Sequence, residues 1–83
     1  MNVRAQVEVY IAELTHVEGT DPSSNLFETG QLTSLDALDL LSFVEATFEI
    51  SIPGDDITVD NLGSIDSIVS YVEKAKQPAQ TAQ

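Results

Sequence analysis

The sequence predicts an all-α fold, a small antiparallel four-helix bundle with three main helices, one short helix and a long first loop. Apolar residues recur every three or four positions in three separate segments, and no alternating run is long enough to build a sheet. Length agrees with this, because 83 residues allow one small domain, and a chain of this size buries only about 60% of the surface its unfolded form exposes. A large enclosed active site is not expected.

In the first segment Val3, Val7, Tyr10, Ile11, Leu14 and Val17 recur at helical spacing, with Asn2 as N-cap and Glu8 and Glu13 turned outward. Residues 18–31 are rich in turn formers and carry only Leu26 and Phe27 as strongly apolar residues, so they predict a long loop pinned to the core at its middle. A second helix is predicted from Ser34 to Phe48, with Leu40, Val44 and Phe48 as its buried stripe and Leu35 and Phe43 beside them. Residues 50–54 read as an extended exit and a turn. Thr58 to Gly63 can supply a single helical turn that Gly63 ends. The last helix starts at Ser64 as N-cap and buries Ile65, Ile68, Val69 and Val72, with Lys74 and Lys76 suited to its C-terminus and Pro78 stopping it. One domain over residues 1–77 and a disordered tail over 78–83 are expected.

Charge narrows the function. The net charge is -11, and all fourteen carboxylates lie between Glu8 and Glu73, whereas the basic residues are Arg4, Lys74 and Lys76 alone. Such a surface repels nucleic acid and anionic membrane and attracts basic patches on proteins. The plainer reading is that the acidity serves solubility. There is no cysteine, which removes disulfides and thiolate chemistry. The N-terminus lacks a signal-like apolar core and no stretch approaches membrane-spanning length, so a cytoplasmic monomer is expected.

Ser34 poses the sharpest question, in the stretch G-Q-L-T-S-L-D-A-L-D-L-L. It is not in a G-x-S-x-G elbow, and the sole histidine, His16, lies at the far end of the first helix, so a serine hydrolase is disfavoured and no enzyme activity is expected. The acidic stretch of residues 55–61 lacks the register of a calcium loop and reads as turn-capping carboxylates. Thr33 followed by Asp36 resembles a capping box, which makes Thr33 the N-cap and leaves Ser34 at the first helical position with its hydroxyl unused. A helix N-terminus is where an added phosphate is best tolerated.

The stretch from Leu26 to Pro53, with Gly30, Ser34, Leu35, Phe48, Ile50, Ile52 and Pro53 as its most specific positions, resembles the modification-site region of the acyl and peptidyl carrier protein family. That region is usually written G-x-D-S-L, then an acidic amphipathic helix, then F-x-I-x-I-P. The resemblance covers about residues 3–76. It implies a non-enzymatic carrier whose Ser34 takes 4'-phosphopantetheine from coenzyme A through a phosphodiester. A separate phosphopantetheinyl transferase would install the arm, and its thiol would hold a pathway intermediate as a thioester. The missing cysteine costs nothing in that case, because the cofactor brings the thiol.

The resemblance also implies a docking face for enzymes with basic patches: a loading enzyme for acyl or aminoacyl groups and a downstream synthase or transferase. Leu35, Leu38, Leu41 and Ser42 form its apolar centre, Asp36, Asp39 and Glu45 its carboxylate rim, and Ile65 is assigned to it while Ile68 is assigned to the core. No metal ligand and no catalytic residue is assigned. One departure stands out: the family's usual Asp before the serine is Thr33 here, which keeps the cap but not the charge and points to a dedicated or tolerant transferase. Glu28-Thr29-Gly30 and the missing Asp resemble free-standing carriers of specialised pathways that handle short modified malonyl or aminoacyl units. The cargo expected first is a polyketide extender or starter unit, and second an aminoacyl or peptidyl group of a nonribosomal-peptide-type pathway. A reading from another class is an unmodified acidic helical adaptor.

Overall fold

The computed structural model describes residues 2–76, which hold helices α1 (Val3–Thr15), α2 (Ser34–Phe48), α3 (Val59–Leu62) and α4 (Ile65–Ala75), with a 3-10 turn at Gly54–Asp56. No strand occurs among the described residues. The all-α bundle is therefore the observed architecture. The expected stop at Pro78 and the tail of 78–83 lie outside the described residues.

Each helix begins at a side-chain cap, which is why short sequence signals located them. Asn2 Oδ1 accepts from the Ala5 N–H at 2.7 Å, Thr58 Oγ1 from Asn61 at 3.2 Å, and Ser64 Oγ from Ser67 at 3.0 Å. Helix α1 ends earlier than its apolar spacing suggests. His16 turns left-handed at φ 62, and Thr15 Oγ1 donates to the Ile11 carbonyl at 2.8 Å and accepts from the Val17 N–H at 3.2 Å. That closure swings Val17 off the stripe, and its side chain is exposed rather than buried.

The core joins Val7 and Ile11 of α1, Leu40, Val44 and Phe48 of α2, Leu62 of α3, and Ile65, Ile68, Val69 and Val72 of α4. Helix α4 packs mainly on α1 and α3. Helix α2 is tied in through side chains: Phe43 stacks on Tyr10 with centroids 3.9 Å apart, and Phe48 meets Phe43 edge-on at 6.0 Å. The Phe43 reading beside the stripe holds, but Leu35 is left in solvent.

The first loop is pinned twice. Leu26 is fully buried and its N–H donates to the Gly63 carbonyl at 2.7 Å, while Leu32, not singled out from the sequence, is also buried and donates to the Leu26 carbonyl at 3.0 Å. Gly63 is required for space: a Cβ there would collide with the Val59 carbonyl oxygen. Gly30 is needed for another reason, a left-handed φ of 81 just before α2.

Candidate functional site

At the start of α2 the capping box is complete. Thr33 Oγ1 accepts from the Asp36 N–H at 3.3 Å, and Asp36 Oδ2 accepts from the Thr33 N–H at 3.0 Å. Asp36 is thereby engaged in holding the helix start. Ser34 occupies the next position and is exposed, with its hydroxyl free of the cap. The first-turn N–H groups have no carbonyl behind them in the helix, so the dipole's positive end lies beside the serine oxygen.

Ser34 borders an open cleft of about 230 Å³ shared by Phe27, Ala37, Leu40, Ile57, Thr58, Val59 and Leu62. None of these side chains titrates in the neutral range. No general base therefore faces the serine across the cleft, and the arrangement offers an accessible hydroxyl without the means to activate it. A phosphate ester formed there would sit at a helix N-terminus on a surface with no resident machinery to break a thioester.

The assigned docking residues separate on inspection. Leu35 is 76% exposed and Leu38 62% exposed, an unusual state for two leucines on consecutive turns of one helix. Asp39 and Ser42 are exposed beside them, and Leu41 is half-buried against the core. Glu45 is half-buried and has a structural duty as well, because its Oε2 accepts from the Ile52 N–H at 2.8 Å and anchors the chain after α2.

Ile65, expected on the docking face, is buried instead. Its side chain is only 3% exposed and belongs to the core, because α4 packs on α1 and covers the helix start. It offers no surface to a partner. Ile68, assigned to the core, is fully buried there. The apolar surface opposite α2 is instead Ile57 and Val59, 44% and 50% exposed. Two β-branched apolar residues within two positions of each other in a turn-rich segment are the signal that could have found them.

The walls of this region are held by polar contacts. Tyr71 of α4 donates its hydroxyl to Asp56 Oδ2 at 2.7 Å, and the Asp56 carbonyl accepts from Asn61 Nδ2 at 2.9 Å. Burial first, then the bond to Asp56, and then the charges of Asp56 and Glu45 push the Tyr71 hydroxyl up to about 12. Tyr10 is also raised, by burial and then by the charges of Asp39 and Asp36. Two of the cations are engaged elsewhere. Arg4 bridges Asp66 at 2.8 Å and approaches Glu8 at 3.9 Å, and Lys76 Nζ donates to the Phe48 carbonyl at 3.2 Å, closing the end of α2 instead of its own helix.

The family described as phosphopantetheine attachment site matches residues 5–72, which is most of the chain, from the first turn of α1 into α4. The chain belongs to that family of phosphopantetheine-binding carrier proteins. A curated relative, aminoacyl carrier protein 1 of Bradyrhizobium diazoefficiens, is 38% identical over 61 residues, covering 74% of this chain and 67% of the relative. The chain is therefore a carrier and not an enzyme, and its cofactor is covalently held 4'-phosphopantetheine. Membership implies dealings with a phosphopantetheinyl transferase and with loading and synthase enzymes. No helix among the described residues is long and apolar enough to cross a membrane.

Proposed function

We propose that Ser34 bears the 4'-phosphopantetheine arm and that the protein holds a pathway intermediate on it as a thioester for presentation to partner enzymes. The observation that carries this reading is the complete Thr33–Asp36 capping box, which leaves Ser34 as an exposed, unused hydroxyl at the first turn of the family's acidic helix. Residues 1–77 form the carrier domain, acting as a monomer in the cytoplasm. Leu35, Leu38, Leu41 and Ser42, rimmed by Asp36, Asp39 and Glu45, receive the basic patch of a partner, with Ile57 and Val59 in the place first given to Ile65.

Intact-protein mass spectrometry after incubation with coenzyme A, magnesium and a broad-specificity transferase tests it. The wild type gains one phosphopantetheine and Ser34→Ala gains none. A gain in Ser34→Ala moves the site elsewhere, and protein from its native host without any arm favours the adaptor. Thr33→Asp restores the family's usual residue and speeds modification by that transferase.

For the cargo, the 38% identical relative named an aminoacyl carrier protein favours an aminoacyl unit over the polyketide unit that the loop pattern suggests. The mass added beyond the arm on protein from the native host separates the two.

A further inference from the structure

The seam between α1 and α2 carries an open groove that Ser34 does not line. Gln6, Val9, Tyr10 and Glu13 form its α1 side, at positions i, i+3, i+4 and i+7 of one helical face, and Phe43 forms its α2 side. This is a different surface from the one that α2 presents around Leu35, Leu38 and Ser42. Phe43 is one position past Ser42, a rotation of about 100° around the axis, and the other lining residues all belong to α1. The groove holds about 190 Å³, room enough for a planar group, since apolar cavities of ~150 Å³ hold benzene.

Its chemistry is specific. Tyr10 and Phe43 stack with centroids 3.9 Å and planes 7° apart, and both rings are half-buried. Such a sandwich sets one negative ring face against another, the less favoured way for two rings to meet. A cation laid against the pair is attracted by both rings. Val9 is 51% exposed and offers an aliphatic surface to a methylene stem. Glu13 is exposed, and no cation among the described residues pairs with it, because Arg4 of the same helix is engaged by Asp66 and Glu8. The charges of Asp39 and Asp36 also reach the Tyr10 hydroxyl and add to burial in raising it, so the potential over the groove is negative from both helices.

An aliphatic stem, a planar cation and a facing carboxylate describe arginine better than lysine, whose compact ammonium is more strongly hydrated and does not stack. We propose that this groove is a second contact surface of the carrier and receives an arginine side chain of a partner protein, with the guanidinium against the Tyr10–Phe43 pair, the stem along Val9 and the charge facing Glu13. A partner held on α1 and α2 together is fixed in one rotational setting about α2, which the ridge of Leu35 and Leu38 alone does not define. The inference does not require the arm on Ser34.

The test is a titration of the full chain, followed residue by residue by NMR, with N-acetyl-argininamide, N-acetyl-lysinamide and the neutral N-acetyl-citrullinamide as probes. The arginine probe should shift Val9, Tyr10 and Phe43, and its own methylenes should move upfield against the rings. It should bind about threefold more tightly than the lysine probe, as an exposed contact of a cation with a ring provides, and the citrulline probe should leave the groove unshifted. Phe43→Leu, with its helix content verified by circular dichroism, should lose the preference for arginine. Glu13→Gln, an exposed change that leaves the core intact, should weaken both cationic probes. Equal affinity for arginine and lysine, or shifts confined to Leu35, Leu38 and Asp39, overturns the groove as an arginine site. Unchanged binding in Glu13→Gln overturns the role of that carboxylate. Dimerisation of the chain that is lost in Arg4→Ala assigns the groove to a second copy and overturns the partner protein.

Discussion

The same three-residue pattern opens two helices and has opposite fates. Ser34-Leu35-Asp36 begins α2, and Ser64-Ile65-Asp66 begins α4. In α4 the serine itself is the cap: its Oγ accepts from the Ser67 N–H at 3.0 Å, and it is buried. In α2 Thr33 caps, so the serine moves one position into the helix and its hydroxyl is spare. One position corresponds to a rotation of about 100° around the axis. Coverage completes the difference, because Ile65 is 3% exposed against α1, while Leu35 is 76% exposed with nothing over it. Asp66 is held by Arg4 at 2.8 Å and its N–H by the Pro22 carbonyl at 3.0 Å, whereas Asp36 serves only its own helix. A helix start becomes a site when a neighbour takes over the capping and the fold leaves that end open.

The comparison can be broken most directly at the aliphatic pair. Ile65→Ala should cost about 2–5 kcal/mol, as buried Ile truncations do, while Leu35→Ala should change stability by less than about 0.5 kcal/mol. Denaturant titration of both reads the difference, and equal costs would remove the distinction. At the serines, Ser64→Ala should cost about 0.5–2 kcal/mol for a lost cap. Ser34→Ala should leave stability within about 0.5 kcal/mol while abolishing arm attachment, so melting and intact mass together separate the roles.

A pH series sharpens the account of what holds α4 to the cleft wall. The Tyr71 proton leaves the unfolded chain near its ordinary value of 10.0 but stays on the folded protein until about 12. Above the lower value the folded state binds more protons, so unfolding becomes easier as pH rises. This contribution is complete below about pH 10, is lost as pH rises through about 12, and disappears in Tyr71→Phe, as denaturant midpoints across that window will read. A small effect belongs to Arg4→Ala, because its ion pairs are about half-exposed. The expected loss is below about 1 kcal/mol and fades as salt is added.

What the sequence by itself determined is local chemistry. The caps Asn2, Thr33 and Ser64, the span of α2, the buried stripes of α2 and α4 and the spare hydroxyl of Ser34 were all legible, because each depends on residues within one or two helical turns. Tertiary structure alone decided which apolar residues stay uncovered. Ile65 and Ile57 are the same residue type in neighbouring segments. The packing of α4 on α1 buries the first, and the short turn before α3 leaves the second beside the cleft. The same holds for polar reach, since Glu45 meeting Ile52 and Tyr71 meeting Asp56 span 7 and 15 positions in sequence. Helical periodicity records which face of an element is apolar, but which neighbour covers that face depends on how the elements pack together.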